Sequence, residues 1–484
     1  MDFRSDALYK FVQVHSFVET GATEELTYPA RAIVSDPEYS PIRGRNTVRL
    51  GNRSIGQYPI AFTLISAPFF WLLGSYGLSL LNLLAAFVGY AYFILRYRPS
   101  WFALVIALLA NYFAVKTINY AEYCLVGTLC FVGADLLLRG GSHTSYLLGG
   151  AVLALGVWIR LETFIFGFCF LVFFGSYFLR DSVLRNKMAL AGVGALVVIG
   201  SFFIFNAWDY GHFLGPRFLA QAEDFSYEAD GSGSLLQRQI HIALSLLFWN
   251  KTGVLGYFAY MPWLLVFAFV WRTDELRNAN VGIAHARRYL LFLLTFVLLV
   301  AATAPNDGWV GFGPRYMIMA AIGLFPLMDP LWKALLRSAQ ILRIGFYVLA
   351  SWSVLMLLLG TAVHRFASTG IQKYQSYLDS VSPDLIVSCT PAVPEFIGSY
   401  FFKYPILLAD EEETRKTSSL LDRIIASDWG GTNLLLVTEK PKIDQAGPEC
   451  PPGNPVHLPS SFDFRGIHDL KPVRFYRYSI NRDR

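Results

Sequence analysis

The sequence predicts a mainly α, polytopic helical membrane protein with a small α/β domain at its C-terminal end. Hydrophobic residues make up 54% of the 484-residue chain and charged residues only 15%, against about 25% charged in soluble globular domains. Apolar runs recur through residues 76–362, and a hydrocarbon core about 30 Å thick needs roughly 20 such residues per crossing helix. From about residue 363 the composition turns polar, with short strand-like runs.

The first polar stretch, Ser5 to His15, precedes all of the apolar runs. At helical spacing Asp6, Lys10 and Gln13 share one face, while Leu8, Phe11 and Val12 cover the other. Such a helix presents either a reactive face or a solvated one with an Asp6–Lys10 ion pair worth about 0.2–0.5 kcal/mol. Residues 1–56 continue as a structured loop carrying Pro29, Pro37, Pro41 and a basic patch of Arg43, Arg45, Arg49 and Arg53. Residues 57–74 are apolar but interrupted by Pro59 and Pro68, which favours a re-entrant or interfacial helix over a full span. The chain thus divides into an outer loop with amphipathic helices (1–75), a transmembrane helical domain (76–362) and a tail domain (363–484).

Ten spans are expected, near 76–95, 101–116, 120–138, 146–160, 163–179, 188–206, 254–271, 288–304, 316–332 and 341–362, some of them short, broken or tilted. The net charge of +5 does not point to nucleic acid. Arg96 and Arg98, Arg139, Arg180 to Lys187, Arg272 to Arg288 and Lys333 to Arg343 occupy alternate loops, as the positive-inside rule requires of cytoplasmic loops. The other face then receives residues 1–75, the Lys116–Glu122 turn, the Arg160–Glu162 break, residues 206–253, the Pro305–Arg315 loop and the tail. Both termini fall on that outer side, an arrangement that predicts one further membrane helix before Asp6.

Cys124, Cys130 and Cys169 lie in apolar runs and read as packing residues. Cys389 and Cys450 lie in the tail and are a disulfide candidate if it is extracytoplasmic. Within the tail, 383–388 and 432–438 look like buried strands, with a helical stretch near 411–427 between them, a small α/β pattern. The tail contains no glycine-rich phosphate loop or metal-ligand spacing, and the chain shows no internal repeat of fixed period.

The outer-side clusters carry the candidate chemistry. Tyr120-Ala121-Glu122-Tyr123 sets a carboxylate at the mouth of a span, where an ionisable group is either a functional residue or a solvated interfacial one. Trp158-Ile159-Arg160-Leu161-Glu162-Thr163 places opposite charges between two apolar runs, as a ligand site or as a pair closing a helix break. Asn206 to Arg217 and Asp307 to Tyr316 resemble each other, each presenting Gly-Pro-Arg at a membrane surface. Glycine admits close backbone approach and arginine offers a planar fork of donors for phosphate oxygens. An arginine at a span end is also a common interfacial anchor.

Taken together, Ser5-Asp6-Ala7-Leu8-Tyr9-Lys10 and Phe17-Val18-Glu19-Thr20-Gly21 look like the first extracytoplasmic loop of GT-C superfamily glycosyltransferases, in particular bacterial members resembling protein O-mannosyltransferases and lipid A aminoarabinose transferases. Tyr58-Pro59 through Ala67-Pro68 is similar to the apolar segment ending that loop, and Glu122 sits where the family often has a second outer acidic residue. Arg160-Leu161-Glu162 resembles the family's Arg-Pro-Glu, with Leu161 in place of proline, and the two Gly-Pro-Arg segments match further outer loops. The resemblance covers most of residues 1–330 and excludes the tail. A single Asp6 stands where many members have an acidic pair.

The resemblance implies an inverting sugar transfer from a polyprenyl-phosphate donor to a lipid, polysaccharide or protein acceptor. It places the chain in a bacterial inner membrane, with the active site and the tail on the periplasmic face. Asp6 would be the general base. Lys10, Arg217 and Arg315 would bind the donor phosphate, where positive charge stabilises the leaving group. Gln13, Tyr58, Glu122, Arg160 and Glu162 are further substrate-binding candidates, and a divalent metal would fall to Asp6 and Glu122. A transporter or flippase for a lipid-linked sugar or other anion is the competing reading.

Overall fold

The computed structural model describes residues 6–21, 26–34, 39–42, 47–50, 53–117, 120–179, 181–220, 235–249, 255–306, 314–390, 393, 397–409, 414–427, 429–439, 460–470 and 473–480. The chain forms two compact units: Met1–Gly56 together with His364–Arg484, and Gln57–Val363.

The first unit begins with helix α1 (Asp6–Thr20) and the hairpin β1 (Thr47–Leu50) and β2 (Arg53–Gly56), paired antiparallel. The expected two-faced helix is buried nearly all round: Lys10 and Gln13 are as enclosed as Leu8 and Val12. Its partners within the unit explain this, because the His15 ring stacks on Phe402 with centroids 3.5 Å apart and Gln13 lies against Gly56. Of the basic patch, Arg43 and Arg45 lie outside the described residues.

The second unit is a helical bundle. It runs through α2 (Ile60–Leu73), α3 (Ser75–Tyr97), α4 (Trp101–Leu109), α5 (Tyr123–Arg139), α6 (His143–Ile159), α7 (Glu162–Leu179), α8 (Ser182–Tyr210) and α9 (Leu235–Leu247). It continues with α10 (Asp274–Asn278), α11 (Ala286–Thr303), α12 (Ile318–Gly323), α13 (Met328–Arg337) and α14 (Gln340–Val381), which contributes to both units. Among the described residues six segments are long and apolar enough to cross a membrane: α3, α7, α8, α11, the composite Arg315–Arg337 and α14. The remaining expected spans appear as shorter pieces. α4 has nine residues, α6 has 17, and 254–271 is divided among Tyr257–Tyr260, Pro262–Leu265 and Val266–Val270. Pro262 accounts for that division, since it supplies no backbone N–H. At 14 residues with Pro68 inside it, α2 is short for a crossing, as the two prolines predicted.

Small residues let the helices approach closely. A Cβ on Gly150 would lie 2.0 Å from the Ala191 carbonyl oxygen, and one on Gly194 would lie 2.4 Å from that of Leu147. This is how α6 and α8 come together, the packing mode that bundles in lipid favour. α7 and α11 run antiparallel, joined by Phe166 against Phe296 near one end and Phe174 against Tyr289 near the other.

The predicted basic loops gather at one end of this bundle. Asp135, its side chain 1% exposed, accepts hydrogen bonds from Tyr92 at 2.7 Å, Arg96 Nε at 3.1 Å and Tyr97, and pairs with Arg139 at 3.5 Å. Lys187 reaches the Gly141 carbonyl, and Arg337 pairs with Glu275. The starts of α5 and α7 and the ends of α8 and α11 lie at the other end.

The tail of the first unit builds a five-stranded sheet from β3 (Leu385–Ser388), β4 (Ile406–Leu408), β5 (Asn433–Glu439), β6 (Phe462–Leu470) and β7 (Val473–Ile480), with α15 (Thr414–Ala426) between β4 and β5. The order is β4-β3-β5-β7-β6. The β3 pairings are parallel and the β7 pairings antiparallel. β3 and, at the end of that order, β4 are buried at every position, as parallel strands covered on both faces should be. Cys389 is disulfide-bonded, Cys450 lies outside the described residues, and Cys124, Cys130 and Cys169 are free and buried.

Candidate functional site

In the second unit four of the residues singled out from the sequence converge on one another. Glu122 caps the start of α5. Arg160 ends α6 in an extended conformation, with φ −153° and ψ 131°, and Glu162 opens α7, where the positive end of the helix dipole favours a carboxylate. The break between the two apolar runs is therefore a device for turning a guanidinium and a carboxylate to the same place.

Arg160 is 1% exposed. Its Nη1 donates to Glu122 Oε1 at 2.7 Å, its Nη2 to Glu162 Oε1 at 2.7 Å and its Nε to Glu162 Oε2 at 3.2 Å. The Glu162 contact is the bidentate fork that makes an arginine–carboxylate pair both strong and directional.

Arg217 arrives by a different route. α8 ends at Gly211, with φ +67°, and the chain turns through Gly215, with φ +78°, where a Cβ would meet Asn206 Oδ1 at 2.5 Å. Asn206 is itself fixed by donating to the Phe202 carbonyl. Glycine at 215 is thus required twice, by the left-handed backbone and by the lack of space. Helical residues 216–220 follow and bring the Arg217 side chain, 11% exposed, to 3.7 Å from Glu122 Oε1 and 3.9 Å from Glu162 Oε1. Those distances are within ion-pair reach and beyond hydrogen-bond length, and Arg217 Nη1 is buried with no hydrogen-bond partner among the described residues.

Aromatic rings extend the cluster. Tyr123 carries the Arg160 guanidinium at 5.2 Å and Lys116 Nζ at 5.4 Å. Tyr316 lies 5.3 Å from Arg160 and 5.1 Å from Arg315, inside cation–π range for both. Arg315 Nη2 donates to Asn306 Oδ1 at 3.2 Å and to the Tyr316 hydroxyl at 3.1 Å. The glycine-rich loop before it, 307–313, lies outside the described residues.

Glu122, Arg160, Glu162, Arg217 and Arg315 thus belong to one neighbourhood. Tyr58 is buried just ahead of α2. Asp6, Lys10 and Gln13 belong to the first unit. Lys116, Tyr123, Asn306 and Tyr316 were not singled out as site residues from the sequence. Lys116 left a signal there, being a lone cation in an apolar stretch yet 1% exposed in the fold, a position that ordinarily marks function.

The Arg160 guanidinium stands between Glu122 and Glu162. Among the described residues no three His, Cys, Asp or Glu side chains form a metal-binding group.

Six described segments of membrane-crossing length, with an arginine–carboxylate cluster at one end of the bundle, mark a mainly α, polytopic membrane protein. Among solved structures the chain is similar to the crystal structure of ArnT from Cupriavidus metallidurans bound to undecaprenyl phosphate. The TM-score is 0.55 and the identity 12%, over 90% of this chain and 89% of that one. At that identity the likeness is one of fold. No protein-family model matches the chain, and no curated protein sequence matches it.

Proposed function

We propose that the chain is a membrane glycosyltransferase that moves a sugar from a polyprenyl-phosphate donor to an acceptor hydroxyl, with inversion. The acceptor oxygen bonds to the anomeric carbon as the bond from that carbon to the phosphate oxygen breaks. The electron pair leaves with the polyprenyl phosphate, and the hydroxyl proton passes to a carboxylate. The ArnT likeness supports the donor class, since that protein is bound to undecaprenyl phosphate.

The observation that carries the reading is Arg217. Arg160 already takes the short hydrogen bonds of both Glu122 and Glu162, so Arg217 is held beside them by charge while its buried Nη1 keeps a donor to offer. A phosphate oxygen satisfies that donor, and a site shielded from water makes the charge count for more against the developing negative charge of the leaving group. Arg315, aligned by Asn306 and Tyr316, is the proposed second phosphate ligand, and Lys10 is assigned to the phosphate on its chemistry alone. Glu122, Arg160 and Glu162 are the rigid support that aims Arg217. Asp6, on the first turn of α1, is the proposed proton acceptor, assigned on its chemistry alone. The proposal places the protein in a bacterial inner membrane, with the reaction on the periplasmic face.

Binding of undecaprenyl phosphate to the purified chain tests the carrying observation. Arg217→Gln is expected to weaken it by about 10- to 100-fold, the worth of a charged hydrogen bond, with a smaller loss for Arg315→Ala. Unchanged affinity in Arg217→Gln overturns the phosphate role.

A further inference from the structure

At the end of the second unit opposite the Glu122–Arg160 cluster lies a cavity of about 720 Å³ lined by Arg277, His285, Arg287 and Arg288, with Val172 and Leu291 on its apolar wall. We propose that it is a binding site for the headgroup of an anionic phospholipid, with the acyl chains lying along Val172 and Leu291.

The positive charge here lacks the buried carboxylate that stands at the ends of α3 and α5. Arg96 and Arg139 share the Asp135 carboxylate, and Arg337 pairs with Glu275. Among the described residues Arg277, Arg287 and Arg288 have no carboxylate within 4.0 Å. Arg287 and Arg288 are oriented instead by neutral groups, which set direction without cancelling charge. Arg288 Nη2 donates to Ser176 Oγ at 3.0 Å and lies 4.6 Å from the Tyr177 ring. Arg287 reaches the Thr273 carbonyl at 3.4 Å and lies 5.7 Å from the Trp271 ring. Its Nε is buried with no hydrogen-bond partner among the described residues.

Position adds to the imbalance. Arg287 and Arg288 stand in the first turn of α11, whose cap residue His285 makes no side-chain capping bond. Backbone N–H groups and the positive end of the helix dipole therefore add to the arginines, where an anion is the favoured occupant. A phosphate group suits the donors left open here, Arg287 Nε among them. The apolar wall makes the ligand a lipid, because Val172 and Leu291 are exposed on helices that cross the membrane. Basic pockets between such helices suit anionic headgroups.

Equilibrium binding of fluorescently labelled dioleoylphosphatidylglycerol to the full chain in neutral-detergent micelles tests the site. Dioleoylphosphatidylcholine with the same label is the control. The glycerol lipid is expected to bind more tightly than the choline lipid, with affinity falling about fivefold per arginine removed, on the order of thirtyfold for Arg287→Gln with Arg288→Gln. Arg277→Glu, an exposed change, is expected to weaken binding while leaving the melting temperature unchanged, which separates lost charge from lost folding. Equal binding of the two lipids, or wild-type affinity in both variants, overturns the proposal. Displacement by millimolar inorganic phosphate overturns the lipid assignment in favour of a free-anion site.

Discussion

Arg160→Met removes the cation on which the cluster is built. In the native chain that side chain is 1% exposed and makes three hydrogen bonds, of 2.7, 2.7 and 3.2 Å, to two carboxylates. Glu122 and Glu162, whose side chains are 2% and 15% exposed, then lose the cation that gives them their short hydrogen bonds, while Arg217 stays at 3.7 and 3.9 Å. Removing one partner of a buried pair costs about 3–5 kcal/mol, because it strands the opposite charge in a medium that solvates it poorly. For a unit of this size that corresponds to a fall of roughly 6–20 °C in the unfolding midpoint. Thermal unfolding of the purified chain in detergent reads it directly. The double variant Arg160→Met with Glu162→Gln leaves Glu122 balanced by Arg217, and is expected to regain more than half of the loss. A midpoint unchanged in the single variant, or a double variant less stable than the single one, refutes the argument that buried charge balance holds these helix ends together.

Gly215→Ala forces a Cβ into left-handed backbone and against Asn206 Oδ1. A loss of about 1–2 kcal/mol, together with weaker binding of undecaprenyl phosphate through a displaced Arg217, is expected from unfolding and binding titrations. His15→Phe tests pH dependence in the first unit. Burial holds the His15 pKa below its ordinary value of 6.5, against an opposing pull from the Glu19 carboxylate. Within that window the unfolded chain therefore binds the extra proton, and stability is full above about pH 6.5 and falls as pH drops through the folded value. The phenylalanine variant keeps the ring stack on Phe402 and loses the titration. Its melting temperature is expected to fall less than the wild type's between pH 7.5 and 5.5, and parallel curves would assign the acid sensitivity to other groups.

The sequence made the class of fold legible because its strongest signal is physical. Long apolar stretches with few charges have one stable arrangement in lipid, and alternate basic loops sort the helix ends. The same rules located the Arg160–Glu162 break, which proved to be the support of the cluster, and the β3 and β5 strands. Periodicity alone misjudged α1, because Gly56 lies against Gln13 and Phe402 against Phe11 and His15, contacts made by residues far apart in the chain. The site itself was legible only in its charged members. Tyr123, Tyr316 and Asn306 align those charges through ring faces and a single amide, and such groups look ordinary until the fold brings them beside a guanidinium. The arginines of the α11 pocket read from sequence as a positive-inside loop, since their lack of carboxylate partners is a property of three-dimensional packing.

Covalent sugar transfer from a polyprenyl phosphate is measured in vesicles that hold the full chain and a donor labelled in its sugar. The account predicts label appearing in covalent linkage to acceptor with the wild-type chain, and none with Asp6→Asn while donor binding persists. Label that crosses the bilayer without ever becoming attached to an acceptor would contradict it and make the protein a transporter.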